Sequence, residues 1–224
     1  MNAGNSGSVF RQWRTGVELA TGEYVWIAEA DDLAQPAFLE TLLAAIHGRP
    51  DVAMAYSESE AIDLDGATAM PDYRSYTGEL SAEKWNAAYT ATGSEEVAQA
   101  LAVKNTIPNV SAVLFRREPL LAVLREHEDE ICAYRIAGDW VAYLHLLARG
   151  GIHYHPASLN RHRRHQNSVT SASDLQRHYD EVVRAQGVAA QTFALDPRAR
   201  AAASAYAGTL RRQFGLPEPQ TEPG

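Results

Sequence analysis

Cysteine is almost missing from this sequence: Cys132 stands alone among 224 residues. One thiol closes no internal disulfide and furnishes no cysteine-rich zinc site, and its solitude suits a reducing compartment. Positive charge is also scarce, with 20 Lys and Arg against 28 Asp and Glu and a net charge of −8. A general nucleic-acid binder needs a basic face to displace counterions, so nucleic acid is set aside as a partner. No apolar run approaches the roughly 20 residues that span a bilayer, and no early basic-then-apolar stretch of leader type is present. The expectation is a chain without a transmembrane segment, in the cytoplasm or peripheral at the inner face of the membrane. Repeats and low-complexity blocks are absent too. What the chain has in quantity is apolar residues, 46% of the total, enough for the core of one large or two small domains.

The most informative stretch is Trp26-Ile27-Ala28-Glu29-Ala30-Asp31-Asp32. Tyr24 to Ala28 is short, apolar and bounded by Thr21-Gly22 and Gln35-Pro36, as a core strand should be. Three carboxylates then crowd its exit. Ligands bind at the carboxyl ends of strands in open α/β sheets, and clustered carboxylate oxygens suit Mg²⁺ or Mn²⁺ better than zinc. The plainer alternative is that Asp31-Asp32 caps a following helix opened by Pro36.

Apolar spacing predicts a helix over Val9 to Ala20, a second over Ala37 to His47 and a strand over Val52 to Ser57, hence αβαβ order. Leu64-Asp65-Gly66 reads as a hairpin turn, and Met70 to Gly78 as a loop. Ser81 to Lys104 looks largely helical with an interruption at Thr92-Gly93. A strand over Ser111 to Phe115, helices over Pro119 to His127 and Asp139 to Arg149, and a strand over Ile152 to His155 follow. From Ser173 the pattern is helical to about Phe214, broken at Asp196-Pro197. Gly138-Asp139 precedes the apolar series Val141, Leu144, Leu147 and Ala148, which puts Asp139 at or near a helix N-cap. A capping role there is worth about 0.5–2 kcal/mol. Arg161-His162-Arg163-Arg164-His165 is the one strongly basic patch.

Taken together, Asn5-Ser6-Gly7-Ser8, Gly16, Ala20 to Asp32, Pro36-Ala37-Phe38-Leu39, Tyr56-Ser57, Ile62-Asp63, Asp65-Gly66, Asn109 to Arg117, Gly138-Asp139-Trp140, Arg163-Arg164-His165 and Ser168-Val169-Thr170 resemble the family 2 glycosyltransferases. The resemblance covers roughly residues 2 to 172. It implies an α/β, GT-A-like (Rossmann-like) mixed sheet flanked by helices, and an inverting, metal-dependent transfer of sugar from a nucleotide-sugar donor to a glycan or lipid-linked acceptor, as in polysaccharide or cell-envelope assembly. The family's Asp-x-Asp motif falls on Glu29-Ala30-Asp31, with Glu where Asp is commoner. Asp31 and Asp32 become the metal ligands for Mg²⁺ or Mn²⁺, joined by His165. Glu29, Ser111, Arg164 and His165 become donor contacts, the basic patch matching a late loop that closes over the diphosphate. Asp139 matches the catalytic base.

The resemblance also implies a departure, since this chain opens at the helix that follows the family's first strand-helix-strand units. The expected organisation is a partial GT-A domain over 1–172, a C-terminal helical extension over 173–215 and a disordered tail over 216–224. A sheet edge left open in this way would accept an upstream domain or a second copy of the chain. Two other readings stand beside transfer. One is a catalytically inactive binding or scaffold fragment of the same fold. The other is a metal hydrolase built from Asp31, Asp32, His153 and His155, the two histidines sharing a strand face. Trp140, beside Asp139, is the best sugar-stacking candidate among the tryptophans.

Overall fold

The computed structural model describes residues 7–164 and 175–217. The first helix, α1 (Val9–Leu19), buries Phe10, Trp13 and Val17, a 3–4-residue spacing that puts all three on one face. Its backbone then turns extended at Ala20 and enters β1 (Tyr24–Trp26). After the acidic run comes the two-residue β2 (Leu33–Ala34), and then α2 (Phe38–Ile46), which buries Phe38, Leu42 and Ile46 against one face of the sheet. β3 (Val52–Ile62) runs five residues beyond the expected Ser57 and returns through a turn at Asp63 to Gly66 into β4 (Thr68–Met70). Gly66 takes a φ of +84° there, a backbone state that glycine adopts without strain.

Two expectations fail between residues 70 and 104. Arg74–Thr77 forms a helical turn, α3, inside the expected loop. Tyr89–Ala91 is a strand, β5, inside the expected helix. Its three residues pair antiparallel with Ile152 to Tyr154, a long-range partnership that local spacing cannot signal and that overrides helix propensity. The helix proper begins at Gly93, as α4 (Gly93–Glu96), with a Thr92–Glu95 capping box, and continues as a π-turn through Leu101.

β6 (Val113–Arg116) leads directly into α5 (Arg117–Glu126), followed by the short α6 (Glu128–Cys132). α7 (Gly138–Leu147) is buried almost all round. β7 (Gly151–Arg163) is thirteen residues long, far beyond the expected Ile152 to His155. α8 (Leu175–Thr192) and α9 (Pro197–Gln213) meet at the expected Asp196-Pro197 break, where the Asp196 carboxylate caps α9 by accepting the Ala199 N–H at 2.7 Å.

The sheet order is β1-β6-β3-β7-β2, with β4 added to β3 and β5 added to β7. β3 and β7 are parallel and the other pairs antiparallel. This is the mixed sheet flanked by helices that the resemblance implies, followed by C-terminal helices. β1 lies at one end of the order, next to β6. Val182, Ala185, Val188 and Ala189 of α8 and Leu210 of α9 belong to the same apolar core as α7 and β6.

Candidate functional site

Glu29, Asp31 and Asp32 follow β1 directly, at the rim where the strand meets solvent. Their backbone is tied down on both sides. The Ser111 hydroxyl accepts the Glu29 N–H at 3.0 Å, and the Ser111 carbonyl accepts the Trp26 indole N–H at 2.9 Å. Ser111 itself is buried, so its hydroxyl is engaged with the acidic segment's own backbone. On the far side, Asp32 Oδ1 accepts the Arg163 N–H at 2.8 Å, and the Asp31 carbonyl accepts the Arg163 Nε–H at 2.9 Å. The other oxygen, Asp32 Oδ2, is buried with no hydrogen-bond partner among the described residues.

The basic patch is not a loop over its first three residues, as expected from the resemblance, but the end of β7. Parallel pairing of Glu60, Ala61 and Ile62 with Arg161, His162 and Arg163 holds it in the sheet. Arg161 is paired with Glu60, and the Arg163 guanidinium is taken up by the Asp63 and Leu64 carbonyls at 2.7 and 2.9 Å. Arg164, by contrast, lines a cavity that also holds Asp139, Asn105, Tyr73, Tyr76 and His162. His165 lies outside the described residues.

Asp139 is the second residue of α7, two places after the N-cap Ala137 and so near the cap, as expected. Its Oδ2 accepts the Asn105 amide at 3.1 Å and its Oδ1 accepts the Trp140 N–H at 2.7 Å. Burial pushes the carboxyl up to about 6, against the downward pull of the Trp140 and Asn105 hydrogen bonds and with Glu181 adding to the rise. A carboxyl that changes charge there can accept a proton in neutral solution.

The strand exit and the helix start are electrostatic neighbours. Solvent reaches Glu29, yet its carboxyl is raised to about 7, first by partial desolvation and then by Asp32, Asp31 and Asp139 in that order. The Tyr143 phenol, buried on α7, is pushed up by burial and then by both Asp139 and Glu29. The carboxylates do not share a single hollow. Glu29 and Asp31 line one of about 710 Å³ between α1 and the β1 edge, and Asp139 lines the other, of about 440 Å³.

Several other residues fall elsewhere. Trp140 is 1% exposed with its indole N–H on the Leu101 carbonyl at 2.9 Å, so it is a core residue and not an open stacking platform. His153 and His155 sit near the start of β7, whereas Asp32 is anchored at Arg163. Eight to ten residues of strand separate them, about 30 Å at 3.3 Å per residue. The hydrolase reading fails on that distance. His127, Glu130 and His145 form another cluster, with Glu130 Oε2 at 2.7 Å from His145 Nε2. The two imidazoles lie stacked at 3.6 Å with 8° between their planes, so their in-plane lone pairs run side by side instead of meeting at a cation.

With this geometry in view, the comparison with known families is decisive for the chain's class. The family model described as Glycosyl transferase family 2 matches residues 3–120. The chain belongs to glycosyl transferase family 2. A search of curated proteins returns no match. The family 2 match contains β1, the acidic run and Ser111, whereas Asp139, Arg164 and the C-terminal helices follow it.

Carboxylate oxygens are the donor type that a divalent cation of the kind the family commonly uses would take, although the ligand atoms of Glu29, Asp31 and Asp32 are not gathered within 4.8 Å of one another as those of His127, Glu130 and His145 are. Asp32 Oδ2 is buried with no hydrogen-bond partner among the described residues, and the Glu29 carboxyl is pushed up by desolvation and by its acidic neighbours. Sequence reasoning missed Asn105 and Glu181. Asn105 carries no signal in its neighbours. Glu181 carries one: it is a charged residue on the apolar stripe of α8.

Proposed function

We propose that this family 2 protein transfers a sugar from a nucleotide-sugar donor to a glycan or lipid-linked acceptor, with inversion at the anomeric carbon. The observation that supports it most is that the Glu29 carboxyl is raised by Asp32, Asp31 and, from the start of α7, by Asp139, so that the two carboxylate positions lie within electrostatic reach of each other although they line separate hollows. Asp139, half-buried on the cavity wall and with both oxygens hydrogen-bonded, takes the proton from the acceptor hydroxyl. That oxygen attacks the anomeric carbon as the bond to the diphosphate breaks, and the nucleoside diphosphate leaves. Asn105 and the Trp140 N–H keep the carboxylate oriented while the charge changes. Asp31 and Asp32, with Glu29 beside them, are the residues that would hold Mg²⁺ or Mn²⁺, which when bound stabilises the negative charge growing on the leaving diphosphate. Arg164 faces the Asp139 cavity, where a guanidinium can pair phosphate oxygens in a fork; His165 is proposed beside it.

No helix among the described residues is long and apolar enough to cross a membrane. Action in the cytoplasm or at the inner membrane face, in polysaccharide or cell-envelope assembly, completes the reading. So does a GT-A-like domain over 1–172 with a helical extension over 173–215, and a second copy pairing along β1. Calorimetry with UDP-, GDP- and dTDP-sugars plus Mn²⁺ tests it. Heat with one donor class, abolished by chelation, is the expected result; no heat with any donor favours the silent-scaffold reading instead.

A further inference from the structure

Glu181 is a buried charge that the reaction as described leaves unused. It stands on α8 in the stripe formed with Val182, Ala185, Val188 and Ala189, at 4% exposure. An apolar side chain of similar volume there avoids the cost of desolvating a carboxylate, so packing alone does not account for it. What it does instead is specific. Its Oε1 accepts the Arg135 N–H at 2.9 Å, and its Oε2 accepts those of Ile136 and Ala137 at 2.7 and 3.0 Å. Three consecutive amides of the segment leading into α7 therefore converge on one carboxylate, and such charge-assisted bonds are about twice as strong as neutral ones. Ala137 is the N-cap of α7, two residues before Asp139, and both Ile136 and Ala137 line the cavity that Asp139 faces. His178 and Val182 of α8 and Tyr206 of α9 line the same cavity.

We infer that Glu181 is a positioning residue for sugar transfer: by clamping the backbone of residues 135–137 it fixes where the Asp139 carboxylate stands, and the C-terminal helices are thereby a working wall of the transfer site. This rests on the reading of Asp139 as the base. Glu181→Gln replaces one accepting oxygen by an amide that faces N–H donors. Two readouts separate positioning from simple stability: hydrogen exchange at amides 135–137, and nucleoside diphosphate release from the best-turned-over member of a UDP-, GDP- and dTDP-sugar panel with Mn²⁺. In Glu181→Gln these amides should exchange about tenfold faster or more, as expected for losing a hydrogen bond to a charged group. kcat should fall by a similar factor, with the donor KM unchanged. Glu181→Asp, which keeps the charge one methylene short, should lie between the two and serves if the Gln variant does not fold. Val188→Ala, in the same stripe but away from the cavity, is the control for general loosening. The inference is overturned if kcat survives while the amides open, or if Val188→Ala lowers kcat as much at a matched melting temperature. Full turnover by Asp139→Asn would remove the base assignment beneath it; an inactive Asp139→Asn alongside an unimpaired Glu181→Gln would remove the Glu181 inference alone.

Discussion

Asp32 Oδ1 accepts the backbone N–H of Arg163 at 2.8 Å. Through this bond the acidic exit of β1 and the basic end of β7, 131 residues apart in the chain, form one rim. The negative run and the positive patch are thus tied by one side chain from each, Asp32 to the Arg163 N–H and Arg163 to the Asp31 carbonyl, alongside the backbone pairing of Leu33 with Arg161, so changes at Asp32 or Arg163 should loosen the rim as well as alter ligand affinity.

Asp139→Asn is expected to lower turnover by roughly 100- to 10,000-fold, the span typical of a lost general base, and to leave donor affinity intact. The asparagine keeps the size of the side chain but cannot take a proton. In the unaltered protein, turnover should fall as pH drops below about 6, where the Asp139 carboxyl protonates. A pH–rate profile and donor calorimetry on the two proteins check both statements.

Asp31→Ala should act on binding. Cation-dependent donor affinity is expected to weaken by about tenfold or more, equivalent to about 1.4 kcal/mol, with any cation-independent affinity preserved. Titrating donor with and without Mn²⁺ reads the difference directly, and an unchanged Mn²⁺ dependence would exclude Asp31 as a ligand.

Much of this site was legible from residue types alone. Trp26 to Asp32 announced a buried core strand ending in carboxylates, and Gly138-Asp139 ahead of an apolar helix announced a carboxylate at a helix start; the helix start is in place, whereas β1 stops at Trp26, lies at the end of the sheet and is only half-buried. Illegible were the contacts made across the chain. Nothing around Tyr89 indicates that it pairs with Tyr154 in a strand, and nothing near Arg161 extends a strand from His155 through Pro156 to Arg163. Both depend on β7 finding β3 and β5, which lie 60 to 100 residues away.

Glu29 should make stability depend on pH. Its folded-state carboxyl is raised to about 7 from the usual 4.5, so its ionisation opposes folding: the penalty is absent below about 4.5 and grows as pH rises through 7. Glu29→Gln should therefore melt higher than the parent at pH 8 and equally at pH 4.5. Solvent screens this side chain, and the gain is on the order of 1 kcal/mol. Mn²⁺ should raise the parent's melting temperature more at pH 8 than at pH 5.5, because protons compete for the same oxygens. Thermal melts across pH, with and without Mn²⁺, decide this.

Gly138→Ala tests the packing beneath the site. A Cβ at Gly138 would stand 2.3 Å from the Phe10 ring and 2.9 Å from the Ile131 carbonyl. The expected cost is about 1–3 kcal/mol for overpacking a closed core, read by denaturant unfolding. Because Asp139 is the next residue, turnover should fall as well, whereas Gly187→Ala, which meets open space in the interior of α8, should leave turnover unchanged and raise stability by about 0.5–1 kcal/mol.

The place of β7 in the sheet has a practical corollary for anyone preparing shorter recombinant versions. A piece ending at residue 120, where the family match stops, would be missing the strand between β3 and β2. It would present raw backbone on both, and Asp32 would be deprived of the Arg163 amide. Insolubility or inertness of that piece would report where the scissors fell, and would say nothing against the chemistry of the intact molecule.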